Sequence, residues 1–185
     1  MDSGANSYRR FCENGDENGL IEIIQCYKDG LIFFLTGIVG NIHTAEDLAE
    51  DTFVLLGTKK PKDKGSGSFK TWLYTIGRNI AIDYLRKYSN HKEIPVINEI
   101  ELMNEEIDFE LLYQFEERKI LLHKALRKLK PEYQQVLWLF YFEELSNKEI
   151  AQIMKKNVHA IETLAYRARN SLKNQLEKEG FSNEI

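Results

Sequence analysis

The chain has 185 residues, 43% of them hydrophobic, and a formal net charge of −4 at pH 7, which suits one large or two small folded domains. The mildly acidic total excludes a protein that coats nucleic acid indiscriminately. The longest apolar stretch, Leu31 to Val39, is far short of the ~20 residues that span a bilayer, and the polar N-terminus does not resemble a signal peptide.

Charge is segregated along the chain. Residues 1–58 carry ten acidic and three basic side chains, and residues 59–92 carry nine basic and two acidic. Residues 98–117 are acidic without a single Lys or Arg, and residues 147–178 return to seven basic against three acidic. Basic blocks favour phosphate by releasing counterions. Acidic blocks face protein or solvent. Cys12 and Cys26, without metal-ligand spacing, read as reduced thiols of a cytoplasmic protein.

The periodicity predicts helices throughout and no alternating strand. Asn14-Gly15 and Asn18-Gly19 flank a polar N-terminal turn. Asp16 caps a helix through Leu20, Ile23, Tyr27, Leu31 and Leu35 that ends near Gly40. Thr44, with Asp47 three residues on, opens a second helix to about Leu56. Its apolar side is Leu48, Phe53, Val54, Leu55 and Leu56, and its exposed side is Glu46, Asp47, Glu50 and Asp51. The segment Lys59-Lys60-Pro61-Lys62-Asp63-Lys64-Gly65-Ser66-Gly67-Ser68 is a basic loop, since Pro and two Gly forbid a continuous helix.

Ser68 caps a third helix, Phe69 to about Tyr88, with Thr71, Thr75, Arg78 and Arg86 along a polar stripe. Residues 89–107 have weak periodicity and read as a linker, and a link of this length favours two domains. Helices follow over about Asp108–Leu129 and from Pro131 to about Phe142, with Pro131 in the first turn. Ser146 and Glu149 form a capping box. It opens a short helix bearing Ile150, Ala151, Ile153 and Met154 on one face. After a tight turn, a second helix buries Ile161, Leu164, Ala165, Ala168 and Leu172 and offers Glu162, Thr163, Tyr166, Arg167 and Asn170. This is the helix-turn-helix plan for reading DNA. Phe181 to Ile185 read as frayed.

Three segments resemble the extracytoplasmic-function (ECF) group of bacterial sigma factors. Phe69-Lys70-Thr71-Trp72-Leu73-Tyr74-Thr75-Ile76-Gly77-Arg78-Asn79 and the residues through Lys87 resemble sigma region 2, and Ala45 to Phe53 resemble the preceding helix of that region. Leu129-Lys130-Pro131-Glu132-Tyr133-Gln134-Gln135-Val136-Leu137, with the helix-turn-helix after it, resembles region 4. The resemblance implies an all-α chain of two small helical domains: region 2 over 1–90, an acidic linker over 91–111 and region 4 over 112–180. It implies an alternative sigma factor that binds core RNA polymerase and starts transcription at specific promoters. Region 2 would hold the polymerase clamp and the melted −10 non-template strand, and region 4 would read the duplex −35 element. The implied partners are core polymerase, promoter DNA and an anti-sigma protein, in the cytoplasm, with no small-molecule substrate or cofactor.

The implied sites follow residue by residue. Lys62, Lys64, Ser66, Ser68, Phe69, Trp72, Arg78 and Asn79 would meet the −10 element. Charge comes from the lysines, and aromatic rings offer stacking worth ~1–3 kcal/mol per base. Phe69 and Trp72 fit core packing as well as base contact. Asp47, Leu48, Glu50, Asp51 and Phe53 would meet polymerase; without the resemblance, that acidic face reads as solvated. Ser146, Lys148, His159, Glu162, Thr163, Tyr166, Arg167 and Arg169 would meet the −35 element, with Arg suited to guanine or phosphate and Glu162 to cytosine N4. His159 and Leu164 depart from the commoner Gly and Arg, and Leu164 fits either core or a thymine methyl.

No catalytic constellation emerges. The four His residues are scattered without metal spacing, and there is no nucleophile elbow. An independent helix-turn-helix repressor would have no need for the basic Gly/Ser loop followed by an aromatic, Arg-bearing helix, and a helical interaction module that binds no DNA would keep its function when the charges of Arg167 and Arg169 are reversed.

Overall fold

The computed structural model describes residues 3–62, 67–89 and 117–178. Within them lie eight helices: α1 (Ser3–Asn14), α2 (Glu17–Val39), α3 (Ile42–Lys59), α4 (Phe69–Ser89), α5 (Glu117–Arg127), α6 (Pro131–Tyr141), α7 (Asn147–Met154) and α8 (Val158–Lys178). No strand occurs among the described residues. The expected linker, the helix start before Glu117 and the frayed C-terminus fall outside them.

Helix α1 precedes the expected polar turn, which stands at Gly15 and Asp16 between α1 and α2. It buries Tyr8 and Phe11 and is tied to α2 by Glu22, which accepts from the Ser7 hydroxyl and Arg10 Nη2, both at 2.6 Å. The crossing is close: a Cβ at Gly19 would collide with the Ser7 carbonyl oxygen. Asp16 caps α2 by accepting from Asn18 N, and Gly40 ends it in the left-handed region at φ 76°, where glycine carries no Cβ penalty.

Helix α3 starts earlier than Thr44. Asn41 is its N-cap, and its side chain accepts from Thr44 N at 2.9 Å. Val54, placed by periodicity on the inner side, is 52% exposed. Ser68 caps α4 as expected, its hydroxyl accepting from Thr71 N at 3.2 Å.

The first core joins Ile23, Leu31, Phe34 and Leu35 of α2 to Leu48 and Leu56 of α3 and to Phe69, Leu73 and Tyr74 of α4. The second joins Val136, Leu137 and Leu139 of α6 to Ile150 and Ile153 of α7 and Ile161 of α8. The two cores meet, with α6 packing on α2 and α7 on α4.

Candidate nucleic-acid interface

The helix-turn-helix is built as its sequence dictates. Ser146 and Glu149 form the full capping box that starts α7. The helix ends at Lys155 in the left-handed region, φ 53°, with its N–H bonded back to α7 carbonyls. Asn157 then caps α8 by accepting from Ala160 N at 2.7 Å. These caps satisfy backbone donors that a short helix otherwise leaves open.

Helix α8 buries Ile161, Ala165 and Ala168 and turns its polar side outward. Tyr166 is 62% exposed, and His159, Glu162, Arg167 and Arg169 are exposed with it, while Thr163 is half-buried. His159 pairs with Glu162 at 3.7 Å, and the Thr163 hydroxyl donates to the His159 carbonyl. Arg169 lies 5.9 Å from the Phe140 ring centroid. Leu164 packs against the core, which favours the core alternative at that position. Lys148 is exposed at the α7 N-terminus, whereas the Ser146 hydroxyl is already committed to Glu149.

The residues expected around the −10 element are less uniformly available. Lys62 is exposed; Lys64 and Ser66 lie outside the described residues. Phe69 is 1% exposed, wedged among Tyr8, Tyr27 and Trp72. It is a core residue and offers no base platform. Tyr74 is likewise fully buried; burial first, then the neighbouring Glu143 carboxylate, push its hydroxyl above the ordinary tyrosine range. Trp72 is half-buried against Tyr8 and Phe69. Arg78 and Asn79 line a cleft shared with Glu132, Lys155 and Lys156, where burial lowers the Arg78 guanidinium pKa and Glu132 opposes that.

Along α4, sequence reasoning missed the partners that come from the C-terminal half. Ser68 Oγ donates to Glu149 Oε1 at 2.9 Å and Thr71 Oγ1 to the same oxygen at 3.2 Å. Lys70 Nζ donates to the Glu143 carbonyl at 3.1 Å and pairs with its carboxylate at 3.1 Å. Burial alone would raise the Glu149 carboxyl. The Ser146 backbone and hydroxyl, with the hydroxyls of Ser68 and Thr71, outweigh it and hold the carboxyl below its ordinary value.

On α3, Glu46, Asp47, Glu50 and Asp51 form the outer face. Leu48 and Phe53, expected at the polymerase contact, are only 4% and 6% exposed; they anchor the helix, and Val54 takes the outer position.

Comparison with known proteins decides the family. A sequence profile of Sigma-70 region 2 matches residues 23–91, and one of Sigma-70 region 4 matches residues 119–172. The RNA polymerase sigma factor YlaC of Bacillus subtilis is 31% identical over 85% of this chain and 91% of its own. The chain belongs to the sigma-70 family of RNA polymerase sigma factors, in its ECF group.

This sigma factor is also 30% identical to the ECF sigma factor SigM of B. subtilis, over 82% of the chain and 91% of SigM. It is 28% identical to the B. subtilis ECF sigma factor SigW, over 89% and 92%. Its fold is that of CnrH, solved with the cytosolic domain of CnrY (TM-score 0.59, 19% identity, 95% of this chain and 96% of the other). It is equally that of RpoE of Bartonella quintana, solved with the anti-sigma factor NepR (TM-score 0.62, 22% identity, 84% and 95%). The protein is an alternative sigma factor, and the family it belongs to binds core RNA polymerase and promoter DNA. No helix among the described residues is long and apolar enough to cross a membrane.

Proposed function

We propose that the ECF sigma factor divides promoter reading between two faces. Residues 112–180 form region 4, and the outer side of α8 reads the −35 element through His159, Glu162, Thr163, Tyr166, Arg167 and Arg169. Lys148 and the α7 N-terminus at Ser146 position the phosphate backbone. Residues 1–90 form region 2. Lys62, Lys64, Ser66, Ser68, Trp72, Arg78 and Asn79 engage the melted −10 strand, and Phe69 supports Trp72 from the core. Asp47, Glu50 and Asp51, with Val54, dock on core polymerase, held in place by Leu48 and Phe53. Residues 91–111 connect the halves. The protein works by binding, without catalysis of its own, in the cytoplasm where polymerase is. An anti-sigma protein is its expected regulator; RpoE of B. quintana is held in complex with the anti-sigma factor NepR.

The supporting observation is the two-sidedness of α8: a fully buried apolar back at Ile161 and Ala168 behind an open front carrying Tyr166 and Arg167. Base edges are read from such a helix by side chains free to enter the major groove. Transcription in vitro with core polymerase and a promoter library tests the reading. Promoter-dependent transcripts that fall with Tyr166→Ala and Arg167→Ala support it; a full library without a single promoter-dependent transcript sinks it.

A further inference from the structure

One face of α1 touches the chain both where it leaves α3 and where it enters α4. That face includes Gly4, Tyr8 and Phe11, all buried and spaced as neighbours along a helical stripe. At the α3 exit, Lys60 takes the left-handed conformation, φ 45° and ψ 53°, which a residue with a Cβ keeps only when its surroundings hold it there. Two contacts from α1 do so. The Tyr8 hydroxyl donates to the Pro61 carbonyl at 2.9 Å. The Lys60 ammonium lies 4.3 Å from the Phe11 ring centroid, within cation–π range. At the α4 entry, Tyr8 packs on Phe69 and Trp72 with ring centroids 5.6 and 5.2 Å away, and a Cβ at Gly4 would collide with the Phe69 ring. Helix α1 is itself fixed to α2 through Glu22, which accepts from both Ser7 and Arg10.

We propose that Tyr8 and Phe11 are positioning residues for −10 reading: they fix the direction in which the chain leaves α3, and so place Lys62 relative to Trp72 before a strand arrives. The inference rests on the assignment of Lys62 and Trp72 to the melted −10 strand given above. Both residues of α1 are buried, so neither touches DNA; each acts through a neighbour. Tyr8 carries two separable parts. Its ring supports Trp72, and its hydroxyl holds the Pro61 carbonyl, one residue before the exposed Lys62. A cation already held in its binding geometry loses less conformational freedom when it meets a phosphate. That advantage belongs to the opening step, where the melted strand is captured. Duplex −35 binding through α8 draws nothing from it.

A double-mutant cycle on the full chain tests this. Tyr8→Phe keeps the ring against Phe69 and Trp72 and removes only the hydroxyl; Lys62→Ala removes the group that the hydroxyl positions. Holoenzyme is assembled from core polymerase and each variant. Opening of a promoter drawn from the library above is followed by permanganate reactivity of its unpaired thymines. Tyr8→Phe is expected to slow opening about fivefold, the factor carried by one neutral hydrogen bond, with holoenzyme binding to a duplex −35 fragment unchanged. In the double variant the hydroxyl has nothing left to position, so its loss should slow opening by less than about twofold beyond Lys62→Ala alone. Fully additive effects, or wild-type opening by Tyr8→Phe beside slow opening by Lys62→Ala, overturn the proposal alone. An equal loss of −35 binding marks a general folding defect and overturns it too. Wild-type opening by Lys62→Ala overturns the −10 assignment, and the proposal with it. Phe11→Leu keeps an apolar side chain in the core and removes the ring beneath Lys60. It should slow opening with the same dependence on Lys62, and additivity there refutes its share of the role.

Discussion

Trp138 stacks on Phe33 with ring centroids 3.9 Å apart and planes within 18°. The two rings belong to α6 and α2, so the contact joins the two cores at their largest side chain. Its energetics combine ring burial with a hydrogen bond from the indole to Gly30. Trp138→Ala is expected to destabilise the chain by ~3 kcal/mol or more, as a large aromatic lost from a packed site does. Trp138→Phe keeps the stack and loses only the N–H, at about 1 kcal/mol. Urea denaturation of both variants checks the order.

Glu149 should make stability sensitive to acid. Its carboxyl lies below the ordinary value, so the contribution is fully present above the unfolded carboxylate pKa. It is lost as pH falls through the lowered folded value. Glu149→Gln is expected to lower stability at pH 7 and to flatten the acid limb. Melting temperatures between pH 7 and pH 3 compare the two slopes, and parallel curves would contradict this role.

His123 works in a different window. It packs edge-on to Phe33 and against Trp138 and Phe142; burial first, then Arg127, lower its pKa. The unfolded imidazole, with its pKa of about 6.5, therefore binds a proton at a pH where the folded one does not. Stability should drop as pH falls through roughly 6.5 and level off below the folded pKa. His123→Phe removes that step, which melting at pH 7.5 and 5.5 would reveal.

Arg167 and Lys148 separate reading from holding. Arg167→Ala should relax preference at a −35 position by ~1–3 kcal/mol if it meets a base edge. Lys148→Ala should weaken all promoters alike and reduce the salt slope by ~1. Binding of polymerase holoenzyme to promoter variants at several salt concentrations distinguishes the two.

Gly19→Ala places a methyl against the Ser7 carbonyl. Overpacking of this kind costs about 1–3 kcal/mol, here by displacing α1. Loss of hydrogen-exchange protection confined to α1 and the start of α2 is the expected signature.

That glycine also marks where the sequence stopped being readable. Asn18-Gly19 carries the composition of a turn, yet it sits inside α2 because α1 must pass close by. Gly4, Asn6 and Ser7 are poor helix formers, so tertiary packing of Tyr8 and Phe11, invisible to local propensity, makes α1 a helix. Elements with strong periodicity and caps, α2, α4 and the helix-turn-helix, were legible to within a few residues. The α3 start slipped because Asn41 outcompetes Thr44 as the cap, and Val54 was misplaced because the apolar stripe is narrower than its run of hydrophobics. For the candidate site, the exposed front of α8 follows from spacing alone. The docking of Glu149 does not. A capping box explains that residue completely at the level of sequence, and nothing local announces that its second oxygen reaches a helix 78 positions away.

Tyr8 donates its hydroxyl to the Pro61 carbonyl at 2.9 Å, and Ser68, at the other end of the basic segment, is held by Glu149. The stretch between them is thus mounted on two fixed posts. Lengthening such a span carries a small entropic cost, about 0.6 kcal/mol per doubling, so residues can be added or exchanged there while the helices on either side stay in place. On the proposed assignment of that segment to the −10 strand, transplanting it alone is expected to alter promoter preference, with the mounts, and with them the stability of the protein, left as they are.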